Sequence, residues 1–573
     1  MHSMGSAIRR PLALLTTAAL VCAGLTIVAA PAAYAAGPAP IEQRSASTVT
    51  ADPLPTVQID SGVVWSQVVV GDIVYAGGRF DNTRPAGAAP GQSLTPRGNL
   101  LAYNIKTGAL VTSFAPKLNG QVTVLAVSPD KKRLYVGGKF TTANSISRFN
   151  IAAYDLASGT LLTTWKPAIG GSYVNAIAAS DTMVYIGGLF TQANGVPRQN
   201  LAAVNASDGK LTGWNPTTDR QVDTMVLTPG FTPQTGKVIV GGRFGVVNNE
   251  AQRGLVALSP TSGAKVPWEA PNTVKNGLST GTNAGKAGIY ALSTDGVSIF
   301  GTGWVYGGVA TGNLEGSFRA QPGSGAIDWL EDCHGDTYSA YSDKVTVYEV
   351  GHKHDCVTVG GYPQAPGKPG NMRHAVAFTN ATKGTLSKSP STGTQYADWS
   401  GQPAPAMINW FPEWVTGSAT GQGQAAWTVT GTGDYVVFGG EFPYVNGKLQ
   451  QGLVRFAKPS AGSTPAVPKK EGPRLAGAAW VPTLQTGPNA VRLNMAKANW
   501  DRDDLELTYT LVRDGVPVAN SSQVVKSTFW NRPAMTFLDT GVVGGSTHTY
   551  LLRATDNNQN KADSATASIV VKK

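Results

Sequence analysis

Cysteine is nearly absent from this chain, with three in 573 residues. Charged residues are scarce as well, at 14%. After the N-terminal segment no stretch carries convincing helical periodicity, so a helical bundle is excluded. No later apolar run reaches the roughly 20 residues of a membrane span. A serine nucleophile elbow, a zincin helix and a phosphate loop are all missing. Basic runs are missing too, which removes nucleic acid from the expected partners. The net charge of +11 permits attraction to anionic polymers, but scattered lysines on a soluble surface are the preferred reading.

What is plentiful is glycine and proline, 68 and 36 residues. Such numbers call for many turns and an all-β chain of two or more domains. The first residues read as an export signal over 1–35. Arg9 and Arg10 precede an apolar run from Leu12 to about Ala30, and Ala33-Tyr34-Ala35 fits a small-x-small cleavage site. Sec and twin-arginine export both stay open. Residues 36–50 are small and polar and read as a flexible leader.

From residue 51 to 458 one pattern recurs. Asp72-Ile-Val-Tyr-Ala-Gly-Gly-Arg-Phe80, Arg133-Leu-Tyr-Val-Gly-Gly-Lys-Phe140, Thr182-Met-Val-Tyr-Ile-Gly-Gly-Leu-Phe190, Lys237-Val-Ile-Val-Gly-Gly-Arg-Phe244 and Tyr435-Val-Val-Phe-Gly-Gly-Glu-Phe442 are versions of one strand. Each reads as a buried strand whose Gly-Gly is approached closely by another backbone. A polar turn and an Arg follow (Arg148, Arg198, Arg253), then a strand, a Gly turn, and a returning strand ending in an aromatic and a proline, as in Trp165-Lys-Pro167 and Trp214-Asn-Pro216. That makes four strands in a period of roughly 50 residues, the range of propeller blades. Degenerate copies end at Trp304 and His352. Seven units close a ring, with six or eight left open. The last unit lacks a strand, and Pro55–Ile59 is the orphan expected to complete it and hide its edge. A Pro/Ser/Ala/Lys linker over 459–474 leads to residues 475–573, whose alternating strands read as a β-sandwich with Trp500, Tyr509 and Tyr550 in its core.

The Gly-Gly pairs, the following Phe, the Arg and the Trp-x-Pro resemble the delta-60 type, kelch-like propeller repeat of secreted bacterial proteins. Residues 475–573 resemble a fibronectin type III module through Trp500-Asp501-Arg502-Asp503 and Gly545-Ser-Thr-His-Thr-Tyr550, with His548 where such modules often carry a Tyr. The resemblance implies a seven-bladed β-propeller followed by a fibronectin type III-like sandwich, and leaves activity open.

Candidate site residues are few. Cys333 and Cys356 are the cysteines left after export and are expected to be bonded in an oxidising compartment. His352 and His354 have the spacing of two ligands on one strand face, near His334, His374, Glu331 and Asp336. Alternation turns His334 away, so the expectation is no resident metal ion and no other cofactor. The repeated arginines read as serving their own units. Trp399 and Trp414 fall outside the repeat and are expected to stack on sugar rings if exposed. Paired carboxylates are the arrangement the sequence cannot reveal. The expected protein is secreted, loosely associated with the cell envelope, monomeric, and binds a glycan, an envelope polymer or a protein. The alternative is a carbohydrate-active hydrolase or lyase, or a metal-dependent oxidase, on the same scaffold.

Overall fold

The computed structural model describes residues 37–278, 280–306, 308, 312–365, 372–389, 396–460 and 471–573. The expected export signal and most of the expected linker lie outside these residues. Among the described residues the helical pieces are a single turn, Ala270–Thr273, and a 3-10 turn, Val357–Val359. No helix there is long and apolar enough to cross a membrane.

The described residues up to Ala457 form a β-propeller. Among the described residues, seven antiparallel sheets follow in chain order, each led by an inner strand: Val63–Val70, Val122–Val127, Ile169–Ala179, Val222–Leu227, Ala287–Thr294, Thr337–Ser342 and Ala426–Gly431. Each inner strand pairs with a second strand. In five sheets this is the Gly-Gly strand, for example Val64 opposite Gly78 and Val122 opposite Gly138. In the degenerate fifth and sixth sheets it is Ile299–Val305 and Thr346–Lys353. A fourth, outer strand is complete in those two sheets and shrinks to a single bridge in the first four, as at Tyr103–Leu110 and Tyr154–Leu161.

The Gly-Gly pairs have two separate jobs. A Cβ on Gly137 would meet the Val174 side chain of the next sheet at 2.7 Å, and a Cβ on Gly439 would meet Val64 of the first sheet at the same distance. The first glycine is therefore where one sheet packs on the next. A Cβ on Gly138 would stand 2.1 Å from the backbone oxygen of Gln121, so the second glycine admits the paired strand. The Gly439–Val64 approach also places the seventh sheet against the first.

Other repeated residues latch the sheets. The Arg side chains bond carbonyls of their own unit: Arg148 donates to Ser147 and Leu162, Arg198 to Pro197 and Thr212. Trp165 and Trp214 are buried, and each donates from Nε1 to a carbonyl in the following sheet's outer turn, Asn205 and Ser259. Two residues after the Arg stands an asparagine that pattern reading passed over. Asn99, Asn150 and Asn200 sit at φ 63–65°, a region asparagine tolerates better than most residues. Asn150 takes the Phe140 amide on its side-chain oxygen and gives its nitrogen to the Ile169 carbonyl.

The expected flexible leader is corrected. Residues 42–59 are laid along the ring: Glu42 bridges Ile408, Leu54 bridges Arg455, and the amides of Thr50 and Leu54 donate to the carbonyls of Ala457 and Arg455. Val49, Ala51 and Leu54 are buried; apolar side chains in a small, polar stretch carry the packing. The strand Leu453–Ala457 thus gains its outer partner from residues 50–54, while Gln58–Ile59 pairs with Asn82–Arg84 in the first unit's turn.

Beyond residue 474, a sheet of Thr483–Gly487, Ala490–Met495 and Met535–Asp539 faces a second built on Glu506–Arg513 and Thr547–Thr555. Their shared core holds Trp480, Tyr509, Leu511, Phe537 and Tyr550. Trp480 occupies the place expected for Trp500, which is half-buried against Phe529, ring centroids 5.9 Å apart. His548 bonds Asp514 at 2.6 Å, while the Tyr550 hydroxyl donates to Asp539. Phe529 and Trp530 pack on Tyr362 and Phe411 of the propeller, so the two parts share a buried aromatic junction.

Candidate functional site at the ring axis

Every inner strand carries a β-bulge at the same level. The register slips between Val64 and Ser66, Val122 and Val124, Val174 and Ala176, Val222 and Thr224, Ile289 and Ala291, Thr337 and Ser339, and Ala426 and Thr428. A bulge leaves one residue unpaired and re-aims its side chain. The seven residues so released are Trp65, Thr123, Asn175, Asp223, Tyr290, Tyr338 and Trp427. Five of them, with Gln121 and Arg243, line one pocket of about 190 Å3, which places them on the axis. The seven are unlike around the ring. Trp427 stacks on Tyr338 at 4.3 Å and on Tyr290 at 6.1 Å, and meets Trp65 edge-on at 5.1 Å. Across from this aromatic arc stand Thr123, Asn175 and Asp223. Arg243 holds Asp223 at 3.1 Å and lies over the Trp304 ring. The Trp65 Nε1 is buried without a hydrogen-bond partner.

Behind the aromatic arc is a carboxyl pair. Asp336 and Glu315 interact electrostatically, with Tyr338 beside Asp336 and Tyr396 beside Glu315. Burial raises both carboxyls above the usual range, and in Glu315 the Asp336 charge adds to it. Each carboxyl is thereby biased toward its protonated form, the property a general acid needs. The Tyr338 hydroxyl also meets His352 Nδ1 at 2.9 Å, so this tyrosine joins the axis to the histidines.

The sequence-predicted residues fall as follows. Cys333 and Cys356 form a disulfide with a Cα separation of 4.0 Å. His352 and His354 lie on one face with rings nearly parallel and 6.4 Å apart. Burial, then the charges of His354 and His374, lowers His352 to about 4. His374 donates from Nδ1 to the Gly351 carbonyl at 3.0 Å. His334 stands apart from them: stacked on Tyr396 at 3.6 Å, it lies between Asp332 and Asp355 at 3.4 and 3.7 Å. Burial alone would lower its pKa, but the two aspartates outweigh it and hold it at about 9. Glu331 is taken by Lys353, a fully buried cation that Glu349 also holds at 2.8 Å. Among the described residues, the group that brings three metal-capable ligand atoms together is Asp501, Asp503 and Asp504. Trp399 is half-buried and donates to the Asn313 carbonyl. Trp414 packs on Phe438 and Phe442 at 5.4 and 4.9 Å. Neither stands free as the open aromatic platform that stacking on sugars asks for. The residues better placed for that, Trp65 and Tyr290, carried no signal beyond standing immediately before a small residue in a strand, Ser66 and Ala291.

Fold and axis define a β-propeller with a mixed aromatic and polar axial pocket. Residues 100–231, under a quarter of the chain, match the family described as Rax2 C-terminal beta propeller domain. No curated protein matches. Among solved structures the chain is similar to one from a mitotic checkpoint complex, with 12% identity, 78% of this chain and 98% of that one covered, and a TM-score of 0.38. It is also similar to an oligogalacturonate lyase from Vibrio parahaemolyticus, with 11% identity, coverage of 70% and 92%, and a TM-score of 0.36.

Proposed function

We propose that this is an exported binding protein that takes a sugar ring of an extracellular glycan or envelope polymer into the axial pocket. The seven sheets are read as seven blades, and the C-terminal part as a fibronectin type III-like module docked on them. The arrangement of the bulged residues carries the reading. An arc of aromatic faces opposite Thr123, Asn175 and Asp223 offers stacking on one side of a ring and hydrogen bonds on the other. The disulfide agrees with an oxidising compartment. A second reading, a glycan hydrolase or lyase, rests on the Glu315–Asp336 pair beside Tyr338. An oxidase of the kind that relies on a tyrosine cross-linked to a cysteine finds no free cysteine among the described residues, since Cys333 and Cys356 are bonded to each other.

A glycan array followed by calorimetry tests this. Trp65→Ala and Tyr290→Ala should each weaken binding of the selected glycan by about tenfold or more. Binding untouched by both substitutions sinks the axial site. Turnover of the bound glycan, lost in Glu315→Gln with binding kept, selects the enzyme reading.

A further inference from the structure

We propose that Asp501, Asp503 and Asp504 form a calcium site that ties the N-terminal strap and the propeller to the C-terminal sandwich. The three carboxylates each offer an oxygen within 4.8 Å of the others. Calcium–oxygen bonds of about 2.4 Å put opposite ligands roughly 4.8 Å apart. All three residues are buried, at 1%, 5% and 1% exposure. One cation faces them: Arg44 holds Asp503 at 3.1 Å. The arginine between them, Arg502, turns to Glu413 and Glu471 instead. A buried cluster with this excess of negative charge needs a cation or protons.

Two unpaired oxygens point to a cation. Asp501 Oδ2 is buried and has no hydrogen-bond partner, although its Oδ1 accepts from the amides of Asp503 and Asp504. Asn409, fully buried in the propeller, gives its side-chain nitrogen to the Asp501 carbonyl at 3.4 Å and leaves its amide oxygen unpaired. Unmatched buried acceptors of this kind are what a hard, oxygen-seeking ion satisfies, and the absence of nitrogen or sulfur donors favours calcium over zinc or copper.

The surroundings show what the ion would hold. Asp503 accepts the Ala51 amide, and Asp504 accepts from Gln43 of the strap and Asn557 of the sandwich. The Phe411 amide of the propeller donates to the Arg502 carbonyl. An ion here would join strap, ring and sandwich at one point, independently of the axial pocket.

Terbium luminescence on the exported protein tests this, because Trp500 is adjacent in the chain to sensitise the ion. Terbium emission displaced by calcium is expected, with a midpoint of thermal unfolding about 5 °C or more higher in calcium than in EDTA. Asp501→Asn and Asp504→Asn should each remove both responses. Identical unfolding in calcium and EDTA with no terbium emission overturns the site. So does a calcium response that survives both substitutions, which would place the ion elsewhere. If neither variant folds, the wild-type comparison decides by itself.

Discussion

His334 shows how far one residue's behaviour depends on its neighbours. Its ring is buried against Tyr396 and flanked by Asp332 and Asp355, which keep it charged to about pH 9. The unfolded value is about 6.5. A cationic group raised in this way contributes stability that is full below pH 6.5 and is lost as pH rises through 9, on the order of 3 kcal/mol for so buried a ring. Urea unfolding at pH 6, 7.5 and 9 should show wild type losing that contribution and His334→Gln, less stable at pH 6, losing much less. Glu331, raised by burial, shifts stability the same way in both proteins and cancels in the comparison, whereas Glu315 and Asp332, which the His334 charge pulls down, rise further in the variant. Parallel pH profiles for the two proteins would refute the charged-histidine account. His352, by contrast, is kept neutral, so His352 and His334 answer pH in opposite directions although they lie in one stapled region.

The recurring element is the Gly-Gly strand, and its two glycines are not equivalent. The neighbours of a Cβ on Gly137 are side-chain atoms of Val124, Val174 and Ile177, which can shift; the neighbour on Gly138 is the Gln121 backbone oxygen, which cannot without parting the strands. Gly137→Ala should therefore cost about 1–3 kcal/mol, as overpacked cores do. Gly138→Ala should cost roughly 4 kcal/mol or more. Chemical denaturation of the two variants checks this, and equal costs would show that the strand pair is softer than its geometry implies. The bulge in the inner strand belongs to the same element. It sets one unpaired residue on the axis per sheet, so a scaffold repeated seven times presents seven independently chosen side chains.

For the molecule as a whole, the question is what keeps the ring shut. The seventh sheet takes its outer partner from residues 50–54, while Gly439 seats Val64 of the first sheet. The strap also supplies Gln43 and Arg44 to the sandwich. Removing residues 37–59 from the mature protein should lower the midpoint of thermal unfolding by several degrees and expose the edge of Leu453–Ala457 to self-association. An unchanged midpoint with no new oligomer would show that sheet-to-sheet packing alone closes the ring.

The sequence by itself determined the all-β class, the propeller, the close approach at each Gly-Gly and the cysteine pair. These rest on local or periodic signals: β-branched runs, glycine where no Cβ fits, and two cysteines with no other partner. Packing of Val49, Ala51 and Leu54 was not legible, because short apolar residues in a polar stretch look the same whether docked or free. Only the tertiary structure decided the site. Trp65, Asp223, Tyr290 and Trp427 lie up to 362 residues apart in sequence and meet because each occupies the bulge of a different inner strand. Glu315 and Asp336 come from different sheets, and Asp501 finds Asn409 across the junction. Distances between such side chains are set by how the ring closes, and closure is a property of all the sheets together rather than of any stretch of chain.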